Sequence, residues 1–196
     1  MSVPPAPPLL LASRSPQRRA ILEQLGVPFE VVLPQFEEAV GGDDPSETVR
    51  ENARGKARSV AGVAAERPVL GVDTEVVVEG RVFGKPGNAS EAEAMLEALA
   101  GRTHDVVSGL CVVTPGWEVL DHEVTRVTFR PLTPRDLARY VSSGEWEGRA
   151  GAFAFQGLGA GLVERFEGDY LNVVGLPAAL LVRLLAENFP GVYGFG

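Results

Sequence analysis

The chain has 196 residues, 45% apolar and 22% charged, with a net charge of −8 and a single cysteine, Cys111. These values describe an ordinary globular protein about one average domain in size, and they exclude an intrachain disulfide or a cysteine-built zinc site. The acidic balance opposes a broad basic face for duplex nucleic acid, but it leaves room for a small anion in a local basic pocket.

Residues 1–8 form a proline-rich lead, expected to be flexible, and the first basic residue is Arg14. The apolar run at 9–12 is too short for a signal segment, and no stretch approaches eighteen apolar residues. The expected location is the cytoplasm, with neither membrane nor nucleic acid as partner.

Residues 9–12 read as a short buried strand. Ser15 then offers an N-cap and Pro16 a first helical position, where its missing N–H costs nothing. That helix should stop at Gly26 in a left-handed conformation. A second strand spans 29–33, followed by an acidic loop with Glu37, Glu38 and residues 41–44. The second helix opens on Asp44 and Pro45, with Glu47 completing a capping box, and runs to about Val63. An apolar strand at 69–72 ends at Asp73, and a hairpin at 76–83 turns on Glu79-Gly80. Ser90 with Glu93 caps a third helix, which Gly101 ends. Long strands at 106–113 and 119–129 follow, the second alternating in polarity near its end. Thr133-Pro134 opens a fourth helix, 148–161 is glycine-rich, 162–166 is a last strand, and Pro177 opens a C-terminal helix.

This pattern predicts an α/β fold: a single mixed β-sheet, elongated and with hairpins, flanked by helices and forming two lobes around a central cleft. The expected organisation is the lead, one domain over 9–190 and a C-terminal tail over 191–196.

Chemistry concentrates in four places. In Ser13-Arg14-Ser15-Pro16-Gln17-Arg18-Arg19 a strand feeds a helix N-terminus that carries hydroxyl and guanidinium groups. Orphan N–H groups and the helix dipole favour an anion there, and one would offset the poor placement of arginines in a first turn. Asp73 follows an apolar strand, where open α/β sheets place ligands. Glu37 and Glu38 also follow a strand, and carboxylates beside phosphate-binding groups suit Mg²⁺ or Mn²⁺. Lys85, at the foot of the hairpin, is placed either to touch a phosphate or to be solvated. In the glycine-rich 150–157 stretch, the Gln156 amide can pair with a base edge, or the segment is simply a packed turn. His104 and Cys111, seven apart on one strand, should point to opposite faces and form no nucleophilic pair. Glu75 places a charge where an apolar strand start is expected.

Taken in order, Leu11-Ala12-Ser13-Arg14-Ser15-Pro16-Gln17-Arg18-Arg19, Gly71-Val72-Asp73-Thr74, Gly84-Lys85-Pro86, Leu99-Ala100-Gly101-Arg102-Thr103-His104, Phe155-Gln156-Gly157 and Val173-Val174-Gly175-Leu176-Pro177 resemble the signature of Maf-type nucleotide pyrophosphatases. The resemblance implies a cytosolic enzyme that splits nucleoside triphosphates into the monophosphate and pyrophosphate with a divalent cation, Mg²⁺ or Mn²⁺. It implies Asp73 as proton acceptor, Ser13, Arg18, Lys56 and Lys85 on the phosphates, and Glu38 with Asp73 at the metal. Gln17, Thr74 and Gln156 fall at base-selecting positions. Asp73-Thr74 and Gln156-Gly157 are similar to the branch acting on dTTP and UTP, whereas Gln17 stands where that branch often has Arg. Rival substrates are 7-methyl-GTP and ITP. The rival from another class is a non-catalytic nucleotide-binding regulator of septum formation. A homodimer is common in the resembled family, and the resemblance implies a housecleaning role with a link to cell-division arrest as a further expectation.

Overall fold

The computed structural model describes residues 7–196. Most of the expected flexible lead, residues 1–6, lies outside the described residues. The strands are β1 (Leu9–Ala12), β2 (Phe29–Val32), β3 (Val69–Val78), β4 (Arg81–Phe83), β5 (Thr103–Val113), β6 (Glu118–Phe129) and β7 (Val163–Glu167). The helices are α1 (Pro16–Gln24), α2 (Pro45–Ala61), α3 (Ala89–Leu99), α4 (Pro134–Ser143), α5 (Tyr170–Val174) and α6 (Ala178–Asn188). Short 3-10 turns lie at Ala150–Ala152 and Gly157–Leu162.

The sheet runs β2-β1-β3-β5-β6-β7, with β4 paired to the far end of β3. β1 is parallel to both β2 and β3, and every other pairing is antiparallel. The expected mixed sheet with hairpins is what forms. Local chemistry explains much of it. Ser15 caps α1 by accepting from the Arg18 N–H, and Gly26 ends it at φ +67°. Glu79 and Gly80, at φ +50° and +76°, make the tight turn between β3 and β4.

Three expectations need correction, and one short helix was not expected. Glu47 completes no capping box: Asp44 accepts from the Ser46 N–H at 2.9 Å, and Glu47 pairs with Arg50 instead. α3 is capped by Asn88, not Ser90. Asn is as strong a cap as Ser, and its side chain accepts from the Glu91 N–H at 2.9 Å. α5 is only five residues long, too short for a periodic signal. Most consequentially, the strand does not stop at Asp73: β3 continues through it to Val78.

Alternate residues of β3 face opposite layers. On one face Leu70 and Val72 pack with α1 and α6 residues, including Ile21, Leu22, Leu181 and Leu184. Farther along that face Val76 and Val78 join a second core with Leu96, Leu99, Phe129 and Phe153. Thr74 lies between the two cores. The other face meets α2 through Ala53, Ala57 and Val60. Contact there is close, because a Cβ at Gly71 would overlap the Ala53 carbonyl and one at Gly109 the Val49 carbonyl.

The cleft follows from a gap in the sheet. Pairing with β1 ends at Gly71, and pairing with β4 begins at Val76. Residues 72–75 therefore have β5 on one side and no strand on the other, between the two cores. The C-terminal segment is docked: Tyr193 is buried and its hydroxyl donates to the Pro7 carbonyl at 3.1 Å.

Candidate active site

A cavity of about 440 Å³ opens at this gap. Ser13, Gln17, Arg18, Glu38, Lys56, Asp73, Thr74, Lys85 and Gln156 all line it. Residues drawn from six separate stretches of sequence thus share one crevice. The loops after β1 and β2 both reach it, as expected at the carboxyl ends of parallel strands where the chain reverses its strand order.

Arg18 is buried and largely committed to the protein. Its Nε donates to the Gly175 carbonyl at 2.9 Å. Nη1 donates to the Ser13 hydroxyl at 3.2 Å and the Val72 carbonyl at 2.8 Å, and Nη2 to the Thr74 hydroxyl at 3.2 Å. One guanidinium N–H remains. Burial lowers its pKa, against the attraction of Asp73 and Glu38. The Thr74 hydroxyl is shared with Ser108 at 2.8 Å, so this position contributes shape more than a free hydrogen bond. Gln17 turns inward on its own turn, its amide oxygen accepting from the Ser15 hydroxyl at 3.0 Å.

The α2 side is arranged differently. The Lys56 ammonium, 4% exposed, lies 2.6 Å from Asp73 Oδ1, 2.9 Å from Glu38 Oε1 and 3.4 Å from the Val72 carbonyl. Two residues beyond Asp73, on the same face of β3, Glu75 is 6% exposed and its Oε2 has no hydrogen-bond partner. Burial first, then the charge of Asp73, push its pKa up. Among the described residues no group of three or more His, Cys, Asp or Glu is placed to share one metal ion.

His104 and Cys111 do point apart. His104 sits edge-on to Phe129 and Phe153, at 4.9 and 5.4 Å, and burial pulls its pKa down to about 4. Cys111 lies in the core under α2, where burial pushes its thiol up to about 12 and leaves it inert.

A family model for Maf-like proteins matches residues 8–188. The chain belongs to the Maf-like family. A dTTP/UTP pyrophosphatase of Nitratidesulfovibrio vulgaris is 48% identical over 186 residues, covering 93% of this chain and 89% of that protein. One from Deinococcus radiodurans is 43% identical over 191 residues, covering 97% of each. Among solved structures, the Ham1 protein of Staphylococcus aureus aligns with a TM-score of 0.45 and 17% identity, over 63% of this chain and 72% of that one.

Three features of this Maf-like cleft escaped the sequence reading. Arg14 and Arg149 line the cavity, and neither side chain has an ion pair or hydrogen bond among the described residues. Arg14 was in view as part of the cationic turn, but nothing local separates it from Arg18. Arg149 precedes the glycine-rich stretch and carried no signal. The third is Asn52, buried on α2 and bonded to Asp73 Oδ2 at 2.8 Å.

Proposed function

We propose that this chain hydrolyses nucleoside triphosphates, dTTP and UTP foremost, to the monophosphate and pyrophosphate by attack of water on the α-phosphorus. The observation that carries this reading is the division of charge across one cleft. Arg14, Lys85 and Arg149, whose side chains have no partner among the described residues, stand on its walls, while Asp73 and Glu38 converge on Lys56. The names of the relatives agree with it.

Asp73 takes the proton of the attacking water. The water oxygen bonds to the α-phosphorus, the bridging bond to the β-phosphoryl group breaks, and pyrophosphate leaves with the electron pair. Lys56 holds Asp73 Oδ1 and keeps the carboxylate in the cleft wall. Arg14, Lys85 and Arg149 hold the charge of the β- and γ-phosphates, alike in the bound triphosphate and in the departing pyrophosphate. The Ser13 hydroxyl and the remaining Arg18 N–H add to the phosphate seat. Gln156, exposed at the cavity rim, reads the base edge, with Gln17 and Thr74 shaping the approach.

A divalent cation suits this donor set. Asp73 and Glu38 present hard oxygens that already reach one ammonium, Glu75 holds an unpaired buried oxygen, and Mg²⁺ needs only one or two carboxylates when phosphates complete its shell. Asp73 and Glu38 would hold the ion, which supplies positive charge against the triphosphate and acidifies nearby water. The reading also carries a cytoplasmic setting and a homodimeric assembly. No described helix is long and apolar enough to cross a membrane.

Pyrophosphate release from dTTP, UTP, CTP, ITP and 7-methyl-GTP, with Mg²⁺ or Mn²⁺, tests the reading. The expected outcome is fastest turnover of dTTP and UTP. Fastest turnover of ITP or 7-methyl-GTP moves the substrate within the same chemistry, with Gln17 and Gln156 responsible. Nucleotide binding without product makes the chain a regulator.

A further inference from the structure

Asn52 is out of character with its helix. The α2 residues that meet the sheet are otherwise Val49, Ala53, Ala57 and Val60, apart from Lys56. Asn is a poorer helix former than Ala or Leu. It is nevertheless 1% exposed, where an amide without partners is strongly disfavoured. Its partners are complete. Oδ1 accepts from the Ala39 N–H at 3.0 Å, and Nδ2 donates to the Ala39 carbonyl and to Asp73 Oδ2, both at 2.8 Å. Only this orientation of the amide works. Turned over, its NH₂ would face the Ala39 N–H, and its oxygen would face a carbonyl and a carboxylate.

These contacts join two parts of the site. The Asp73 oxygens are divided between residues one turn apart on α2: Lys56 takes Oδ1 and Asn52 takes Oδ2. Gripped at both oxygens, the carboxylate has a fixed rotation. Ala39 directly follows Glu38, so the same amide also sets the loop that brings Glu38 to Lys56. Neighbouring α2 positions hold that loop too. The Thr48 hydroxyl lies 3.2 Å from the Gly41 carbonyl, and the Phe36 ring occupies the space that a Cβ at Gly55 would need. Residues 48, 52, 55 and 56 lie along one helical stripe, so one side of α2 fastens residues 36–41 over Asp73.

We propose that Asn52 is a positioning residue for the reaction, acting through Asp73 and the Glu38 loop and touching no substrate. It does not line the cavity. The proposal rests on the reading of Asp73 as proton acceptor. Asn52→Asp keeps the acceptor and the shape but loses both donors, and Asn52→Leu loses all three bonds.

The test compares these two variants, Asp73→Asn, and the Asn52→Leu/Asp73→Asn pair, by steady-state turnover of dTTP, thermal unfolding and amide exchange at Ala39. Both Asn52 variants should lose kcat on the order of 10²-fold, with KM within about threefold and faster exchange at Ala39. The double variant should be no slower than Asp73→Asn alone, because Asn52 has nothing left to orient. A folded Asn52→Leu with kcat within about twofold of wild type overturns the proposal. So does a double variant that is slower by the full single-variant factor. If Asn52→Leu does not fold, Asn52→Asp decides on the same criteria. Near-normal turnover by Asp73→Asn overturns the base assignment and this proposal together, whereas its loss beside normal Asn52 variants overturns this proposal alone.

Discussion

Two buried cations meet at the Val72 carbonyl, and their surroundings have opposite electrical characters. Arg18 approaches it at 2.8 Å and finds its other partners in a carbonyl and two hydroxyls, all neutral. Lys56 approaches at 3.4 Å and finds two carboxylates. The β1 side of the cleft therefore keeps an excess of positive charge, extended by Arg14, Lys85 and Arg149. The α2 side keeps an excess of negative charge, with Glu75 behind it. A bare triphosphate suits the first side and is repelled by the second. A triphosphate carrying a divalent cation suits both. The Val72–Glu75 gap in the sheet makes this possible, because it exposes a strand backbone that cations from both sides can share.

The strongest way to break the contrast is Asp73→Asn, which removes the acceptor from the negative side. Turnover of dTTP should fall about 10²–10⁴-fold with an unchanged circular dichroism spectrum; a rate near wild type would remove Asp73 from the chemistry. Lys56→Met next leaves Asp73 buried with no ammonium beside it. Breaking a buried pair costs about 3–5 kcal/mol, which a lowered urea midpoint would register. An unchanged midpoint would mean that the carboxylates do not depend on that cation.

On the positive side, Arg14→Ala and Arg149→Ala should each raise KM for dTTP about tenfold with little change in kcat, the value of one charge-assisted hydrogen bond. If KM is unmoved by both, the triphosphate lies elsewhere. The smallest effect belongs to Glu75→Gln. Burial and the Asp73 charge hold the Glu75 carboxyl above its ordinary 4.5, so the folded protein retains a proton that the unfolded chain releases. Wild-type stability then declines as pH rises from 4.5 through the folded value. Glu75→Gln should melt about 2–4 °C higher than wild type at pH 8 and equally at pH 4. Equal melting at both pH values would show that the buried charge carries no penalty.

Much of the fold was readable where local chemistry decides it. The Ser15-Pro16 start, the Gly26 stop, the Glu79-Gly80 turn and the two long strands β5 and β6 each depend on neighbours within a few residues. β3 is different. Asp73 and Glu75 make its middle look like a strand end, yet it continues because Asn52, Lys56 and Gly109 arrive from distant sequence to pair or accommodate it. The same limit applies to the site. Seven of the nine expected residues in the cavity lie in the ordered motifs, but which cations are spent on structure depends on long-range acceptors. Arg18 finds Gly175 and Val72 in three dimensions; Arg14, four residues earlier, finds none among the described residues. The Asn52 amide looks like an ordinary polar helix residue until Ala39 and Asp73 close around it.

Hydrolysis of dTTP in ¹⁸O-water, with products followed by ³¹P NMR, decides where the bond forms. Water attack at the α-phosphorus puts the label in dTMP and leaves pyrophosphate unlabelled. Label in pyrophosphate, or release of dTDP and inorganic phosphate, would contradict the assignment of the phosphates across this cleft.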